Sequence, residues 1–185
     1  MLFRSKRPVP LVPLFFHPSG KLLPLMATYD GKKRLFEKVR EFITGKSQPS
    51  LARPGQLPPF GDILQVLRKY RLLPAIFFLK SRADCDHALD LCRKNLLSDA
   101  NRKEAISRFI FDLSGQVPHI LRHNQLWHLE HYAVGAHHSG QLPAWKFLIE
   151  QLMTRGLLDA VFATSTVAAG VNFPARTIVF LNSDK

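Results

Sequence analysis

The stretch Ala133–Leu181 decides the fold: AVGAHHSGQLPAWKFLIEQLMTRGLLDAVFATSTVAAGVNFPARTIVFL. Its centre predicts a helix, with Pro143 in the first turn and Gly156 near the end, which is the usual asymmetry of helix termini. Apolar segments on either side predict three short strands, at Ala133–Ala136, Asp159–Thr164 and Ile178–Leu181. A strand, a helix and another strand in this order are typical of an α/β protein with a parallel sheet.

A polar turn, TSTVAAGVNFPA at 164–175, joins the last two of these strands. Ligands of open α/β sheets bind outside the carboxyl ends of strands, so this turn is a candidate site. Thr164, Ser165 and Thr166 offer hydroxyls and unpaired N–H groups at the start of a helical turn, which suits a phosphate oxygen. The same three residues could simply cap a helix, and capping is compatible with phosphate binding.

The rest of the chain continues the alternation of helices and strands. Predicted helices are Lys33–Ile43, Ile63–Tyr70, a segment from the capping residue Ser81 to about Asn95, and Lys103–Leu113. Ala75–Leu79 is apolar throughout, as expected of a strand buried in a parallel sheet. Val9–Phe16 and Leu22–Leu25 predict a hairpin, and the proline- and glycine-rich residues 44–59 predict a linker. Pro118–Tyr132 stays ambiguous.

The charge balance points to a polyanionic partner. Lys and Arg number 26 against 14 Asp and Glu, for a net charge of +12, and the isoelectric point is about 10.2. Nucleic acid is the favoured partner. The alternative is that an acidic domain elsewhere in the protein balances the charge.

Other bulk features argue for a reduced, cytoplasmic setting. The two cysteines, Cys85 and Cys92, fit neither a disulfide framework nor a zinc spacing. The amino terminus lacks the features of a signal peptide, and no apolar run is long enough to span a bilayer.

Four segments in order resemble motifs of one protein family. They are RPVPL at Arg7–Leu11, PAIFFLKSRADCD at Pro74–Asp86, HHSGQLP at His137–Pro143 and ATSTVAAGVNFPART at Ala163–Thr177. Together they resemble the second RecA-like domain of superfamily 2 helicases, and the superkiller-like subgroup of DEAD/DEAH-box relatives in particular. The resemblance implies a RecA-like parallel sheet of the P-loop NTPase type, sandwiched by helices, with an amino-terminal hairpin extension.

Three other motifs of that family are missing from the chain. There is no G-x-x-x-x-G-K-[ST] phosphate loop, no D-E-x-H or D-E-x-D run, and no Q-x-x-G-R-x-G-R motif. The resemblance therefore implies one lobe of a two-lobed motor, ending before its last motif. ATP and Mg²⁺ would be bound mainly by the first lobe of the full-length chain, and the fragment would not hydrolyse ATP by itself.

The resemblance also suggests roles for individual residues. Gly170 and Asn172 would contact the nucleotide, with the Asn172 amide bonding the ribose hydroxyls. The nucleic-acid contacts would come from Arg82, His138, Ser139, Gly140, Thr164, Ser165 and Thr166. Asn172 could instead only stabilise the turn, and Arg82 could be a solvated surface residue.

Histidines suggest a metal at first sight, but their spacing argues against one. His137 and His138 are adjacent on a strand and would point to opposite faces, so one should pack inward while the other reaches a phosphate or the neighbouring lobe. His119, His123, His128 and His131 do not match H-E-x-x-H and are expected to be solvated or at the rim of the core. The stripe Trp145, Phe147, Leu148, Ile149 and Leu152 is expected to be helix core.

The sequence thus predicts three segments, and the resemblance implies one function. Residues 1–45 form a hairpin and helix, 46–59 a flexible linker, and 60–185 the second RecA-like domain. The function is that of part of an ATP-dependent helicase acting on single-stranded RNA or DNA, with RNA slightly favoured. The alternative is a non-catalytic nucleic-acid-binding or scaffold module.

Overall fold

A computed structural model describes residues 11–45, 49–53, 56–164 and 173–181. The chain divides into two compact units, Met1–Leu51 and Ala52–Lys185. Within the described ranges, no helix is both long and apolar enough to cross a membrane.

Two antiparallel hairpins and one helix make up the described part of the first unit. Strand β1 (Leu14–His17) pairs with β2 (Lys21–Pro24), β3 (Met26–Tyr29) pairs with β4 (Lys32–Leu35), and helix α1 covers Glu37–Thr44. The rings of Phe15, His17 and Phe42 pack together with centroids 4.8–6.4 Å apart. Val39 of α1 is fully buried.

The second hairpin replaces the first turn of a predicted helix. Asp30 and Gly31 both adopt positive φ angles, 48° and 72°, which is the conformation of a two-residue hairpin turn. The chain therefore folds back at this point, and 32–35 pair as a strand. The prediction of a helix over Lys33–Ile43 was wrong for these first residues, and the helix begins at Glu37.

The described part of the second unit is an α/β structure with four parallel strands in the order β6-β7-β5-β8. Its strands are β5 (Ala75–Leu79), β6 (Val134–His137), β7 (Ala160–Thr164) and β8 (Thr177–Phe180). Its helices are α2 (Phe60–Lys69), α3 (Arg82–Asp90), α4 (Ala100–Ser114), α5 (Leu126–Tyr132) and α6 (Pro143–Thr154), with a 3₁₀ turn at Pro118–Arg122. The predicted fold class, a parallel sheet flanked by helices with an amino-terminal hairpin region, is confirmed.

Alternate residues of the strands bury against different helices. Phe77 of β5 and Phe162 of β7 pack on Phe60 of α2, with ring centroids 4.7–5.3 Å apart. Val161 of β7, next to Phe162, lies in the cluster that contains the buried side chains of α6. Because neighbouring strand residues point to opposite faces, both faces of the sheet are covered, which explains the continuous apolar sequence of these strands.

The apolar stripe of α6 is buried with one exception. Trp145, Leu148, Ile149 and Leu152 are at most 1% exposed, as predicted. Phe147 is 46% exposed, so its prediction as core was wrong. The four buried positions follow the i, i+3, i+4, i+7 spacing of one helix face, and position 147 falls outside it.

Helix α3 begins as predicted but ends early. The Ser81 Oγ accepts a hydrogen bond from the Asp84 N–H at 3.0 Å, which confirms the cap. The helix ends at Asp90 rather than near Asn95, so Cys92 lies beyond it. Both cysteines are free and buried, and burial raises the pKa of the Cys85 thiol to about 12, so it stays protonated at neutral pH.

Candidate nucleic-acid interface

Three of the parallel strands end side by side at the carboxyl edge of the sheet. Leu79 of β5 pairs with Thr164 of β7, and His137 of β6 pairs with Ala163 of β7. The segments Lys80–Arg82 and His138–Gly140 leave the sheet at this edge. The structure therefore brings together segments that are far apart in the sequence and that were predicted separately as a site.

Arg82 lies against the loop that follows β6. It is the first residue of α3, and it is exposed. A Cβ atom built on Gly140 would lie 3.2 Å from Cδ of Arg82 and 3.4 Å from its Nη1. The absence of a side chain at Gly140 thus lets the arginine cross the loop, next to the exposed Ser139.

Both members of the histidine pair are buried, in contrast to the expectation that one would reach outward. His137 and His138 are 4% and 5% exposed. His137 Nε2 lies 2.7 Å from Glu150 Oε1 on α6, whereas His138 Nε2 lies 2.9 Å from Asp86 Oδ1 on α3. The opposite orientations were predicted, but both rings end on protein partners.

The hydrogen bonds of His138 fix the orientation of its ring. Its Nδ1 accepts a hydrogen bond from the Gly140 N–H at 3.2 Å, so this nitrogen carries no proton. The proton is then on Nε2, which donates to Asp86 Oδ1. The histidine therefore ties the backbone of Gly140 to helix α3 and fixes the shape of the loop under Arg82.

A closed ring of hydrogen bonds surrounds this histidine. Asp86 Oδ1 accepts from Gln125 Nε2, and Gln125 Oε1 accepts from Gln141 Nε2 at 3.0 Å. Gln141 Oε1 accepts from the His138 N–H at 3.2 Å, and His138 Nε2 returns to Asp86. Each buried amide and the imidazole thus has a partner, as a buried polar group requires.

Sequence reasoning missed three members of this ring as functional residues. Gln141 and Asp86 lie within segments that were singled out as motifs, and their position there was the available signal. Gln125 lies in the segment Pro118–Tyr132, whose structure the sequence left ambiguous, and no motif in that segment indicated a role for it.

A polar cleft of about 220 Å³ opens beside the ring. Its lining is formed by Asp86, His123, Asn124, Gln125, His138, Gly140, Gln141 and Leu142. His123 stacks on Trp145 with ring centroids 3.5 Å apart and planes 7° apart, and its Nδ1 accepts the Gln125 N–H at 3.2 Å.

Burial lowers the pKa of His123 to about 4; nearby Asp86 opposes the shift and His138 adds to it. The ring is therefore neutral at physiological pH, consistent with its role as a hydrogen-bond acceptor.

The remaining predicted site residues divide into two groups. Thr164 is the last residue of β7 and is half-buried at the carboxyl edge. Ser165, Thr166, Gly170 and Asn172 lie outside the described residues. Among the residues that are described, no three His, Cys, Asp or Glu side chains are grouped so that they could hold a metal ion.

The comparisons with known proteins agree on one class. No family model matches the chain. The chain is 35% identical over 147 residues to "DExH-box ATP-dependent RNA helicase DExH15 chloroplastic" of Arabidopsis thaliana, covering 80% of this chain and 12% of that protein. It is 38% identical over 141 residues to "Probable helicase HelY" of Mycobacterium tuberculosis, covering 73% and 15%. It is 34% identical over 173 residues to human "Superkiller complex protein 2", covering 89% and 13%.

The parallel sheet, the motif segments at its carboxyl edge and these relatives define a RecA-like lobe of a superfamily 2 helicase. The chain belongs to the superkiller-like DExH-box family, as the sequence motifs predicted. It spans 12–15% of the length of the three relatives described above.

Proposed function

We propose that this chain is the second lobe of an ATP-dependent RNA helicase and that its carboxyl edge holds the backbone of the nucleic acid. One observation carries the proposal: Arg82 and the exposed Ser139–Gly140 loop converge at that edge, beside the end of β7. A guanidinium and an exposed serine hydroxyl are groups that bind phosphate oxygens.

The relatives support RNA as the substrate. The Arabidopsis relative is named as an ATP-dependent RNA helicase, and a human relative, "Exosome RNA helicase MTR4", is 29% identical over 198 residues. A grip on phosphates is independent of base sequence and weakens as salt concentration rises. The net charge of +12 favours such binding.

The interior groups have a positioning role in this proposal. The buried His138 ring accepts a hydrogen bond from the Gly140 N–H and contacts Asp86 through its other nitrogen. These two contacts fix the position of the loop. Thr164, Ser165 and Thr166 would add hydroxyl contacts to the strand, and Gly170 and Asn172 would contact the nucleotide ribose.

ATP and Mg²⁺ do not fit the residues of this chain alone. The sequence has no phosphate loop, and the described residues hold no cluster of acidic side chains for a metal ion. The first lobe would hold the triphosphate, and this lobe would close on it. We also propose a cytoplasmic location and the division at 1–45, 46–59 and 60–185.

The test is the ATPase rate of the complete helicase that carries this chain, with and without single-stranded RNA or DNA. We expect RNA-stimulated turnover that falls at least tenfold in an Asn172→Ala variant, and no turnover from residues 1–185 alone. The matched control is Asn101→Ala, an exposed amide of α4 outside the motifs and the cleft. Turnover by the isolated chain that survives Asn172→Ala would refute the assignment, and no turnover in the complete protein would favour a non-catalytic binding module.

A further inference from the structure

The β3–β4 hairpin of the first unit carries a basic surface that the helicase motifs do not include. Its returning strand, Lys32–Leu35, is exposed at every position. Three consecutive cations occupy it, Lys32, Lys33 and Arg34. Among the residues that the structure describes, no carboxylate forms an ion pair with any of the three.

The strand register separates these cations onto two faces. Tyr29 is opposite Lys32, and Ala27 is opposite Arg34. Directly opposed residues share a face, and so do residues two apart on one strand. Tyr29, Lys32 and Arg34 therefore form one face, here called the hairpin basic face, while Lys33 points to the other side.

The geometry of this face fits an extended phosphate chain. Lys32 and Arg34 are two residues apart along a strand, which is about 6.8 Å. The Tyr29 ring lies beside Lys32 and is 37% exposed, and its hydroxyl accepts the Glu37 N–H at 3.4 Å. Two cations in a row beside an aromatic ring form the combination that binds single-stranded nucleic acid, by charge on the backbone and stacking on a base.

The charges nearby do not neutralise the face. Residues 11–45 contain six Lys and Arg but three Asp and Glu. Of the three acidic residues, Glu37 is engaged by Arg40 at 3.5 Å. Asp30 lies in the turn of the same hairpin, so residues 26–35 carry three cations against one carboxylate and keep an excess of two positive charges.

We propose that the hairpin basic face is a second nucleic-acid contact, at which Lys32 and Arg34 bind backbone phosphates of a single strand. The inference rests on the proposed function, since it gives the same nucleic acid a second contact, on the first unit. It assigns the hairpin a role in holding substrate.

The test measures binding of the 185-residue chain to a fluorescent single-stranded oligouridine between 50 and 200 mM salt. We expect Lys32→Gln/Arg34→Gln to lower the salt slope by about 1.4 and the affinity roughly 25-fold at 0.1 M salt, because two phosphate contacts are lost.

Two controls isolate the hairpin basic face. Lys69→Gln/Lys103→Gln removes the same charge from exposed positions of α2 and α4 in the second unit. Lys33→Gln removes a cation from the same strand but the other face. Both should change affinity less than threefold.

An Arg82→Gln variant separates this inference from the proposed function. A loss with Arg82→Gln and none with the hairpin pair overturns the inference and leaves the carboxyl-edge grip standing. A loss with the hairpin pair and none with Arg82→Gln supports the inference and removes the grip. Equal losses in the hairpin pair and the Lys69/Lys103 control, or no binding by the wild type, overturn the inference.

Discussion

The two ends of the parallel sheet both bury polar side chains, but they satisfy them in different ways. At the amino end, the Asp159 carboxylate is 5% exposed and is bonded by two guanidiniums, Arg68 at 2.5 Å and Arg102 at 2.9 Å. Asn95 adds a third bond at 3.0 Å. At the carboxyl end, the ring around His138 is built from neutral amides and an imidazole, with Asp86 half-exposed at its rim.

This contrast separates a stabilising end from a binding end. The amino end is held together by charges that join helices α2 and α4 to the start of β7, and both guanidiniums are bound to Asp159. The carboxyl end keeps the amides and the imidazole of its ring buried, with the Asp86 carboxylate at the rim, and presents a glycine, a serine and an arginine above them. The Arg82 guanidinium lies over a loop with an exposed hydroxyl, whereas the two guanidiniums of the amino end are bound to a buried carboxylate.

The largest expected effect comes from breaking the amino end. Asp159→Asn leaves both guanidiniums without their buried counter-charge, and we expect the free energy of unfolding to fall by about 3 kcal/mol. The value is at the low end for a buried pair because Arg68 is 46% exposed and can turn to water. Urea unfolding followed by circular dichroism measures it.

The control for that change is an exposed pair. Glu104→Gln removes the partner of Arg108 on α4, where both side chains are about 70% exposed, and it should cost less than about 0.5 kcal/mol. Equal losses in the two variants would show that the charges at the amino end contribute no more than surface charges do.

A smaller loss of stability is expected when the pH is lowered, because His123 near the carboxyl end of the sheet becomes protonated. Burial holds the pKa of His123 near 4 in the folded chain, against 6.5 when it is unfolded. The unfolded state binds the extra proton between these values, so the free energy of unfolding falls as pH drops from about 6.5 to about 4. His123→Phe keeps a ring on Trp145 but cannot be protonated. Its free energy of unfolding should therefore fall less than that of the wild type between about pH 6.5 and about pH 4.

Thermal unfolding at several pH values compares wild type with His123→Phe. His119→Phe is the matched control, because His119 is exposed and should leave the acid sensitivity unchanged. An identical fall in wild type and His123→Phe would mean that this histidine is not responsible.

The fold was predictable from the sequence where the signals are local. Ala75–Leu79 matched its strand, and Ser81 and Pro143 marked the starts of α3 and α6. The second hairpin was missed, although Asp30-Gly31 is a turn signal, because the cations that follow also fit a helix.

The polar networks at both ends were not predictable for a different reason. Arg68 and Arg102 are 91 and 57 positions from Asp159, and Asp86 is 39 positions from Gln125. Such pairs exist only once the sheet has brought distant segments together. Motifs located His138–Gly140 and Arg82, but they could not show that His138 faces inward.

The smallest expected effect on stability, and the sharpest test of the contrast, is Gly140→Ala at the carboxyl end. The new Cβ would lie 3.2 Å from both Arg82 Cδ and His138 Nδ1. The arginine side chain is flexible and can move aside, so the free energy of unfolding should change by less than about 1 kcal/mol. Arg82 would nevertheless leave its place over the loop, and RNA affinity should fall several-fold.

The matched glycine is Gly115, which follows α4 with a helical φ of −61° and has its nearest contact at 3.5 Å. Gly115→Ala should leave both stability and RNA affinity near wild type, since an alanine fits there without moving a neighbour. Fluorescence anisotropy with the same oligouridine compares the two variants. If Gly140→Ala binds RNA as tightly as Gly115→Ala does, the position of Arg82 over the loop is not part of the grip.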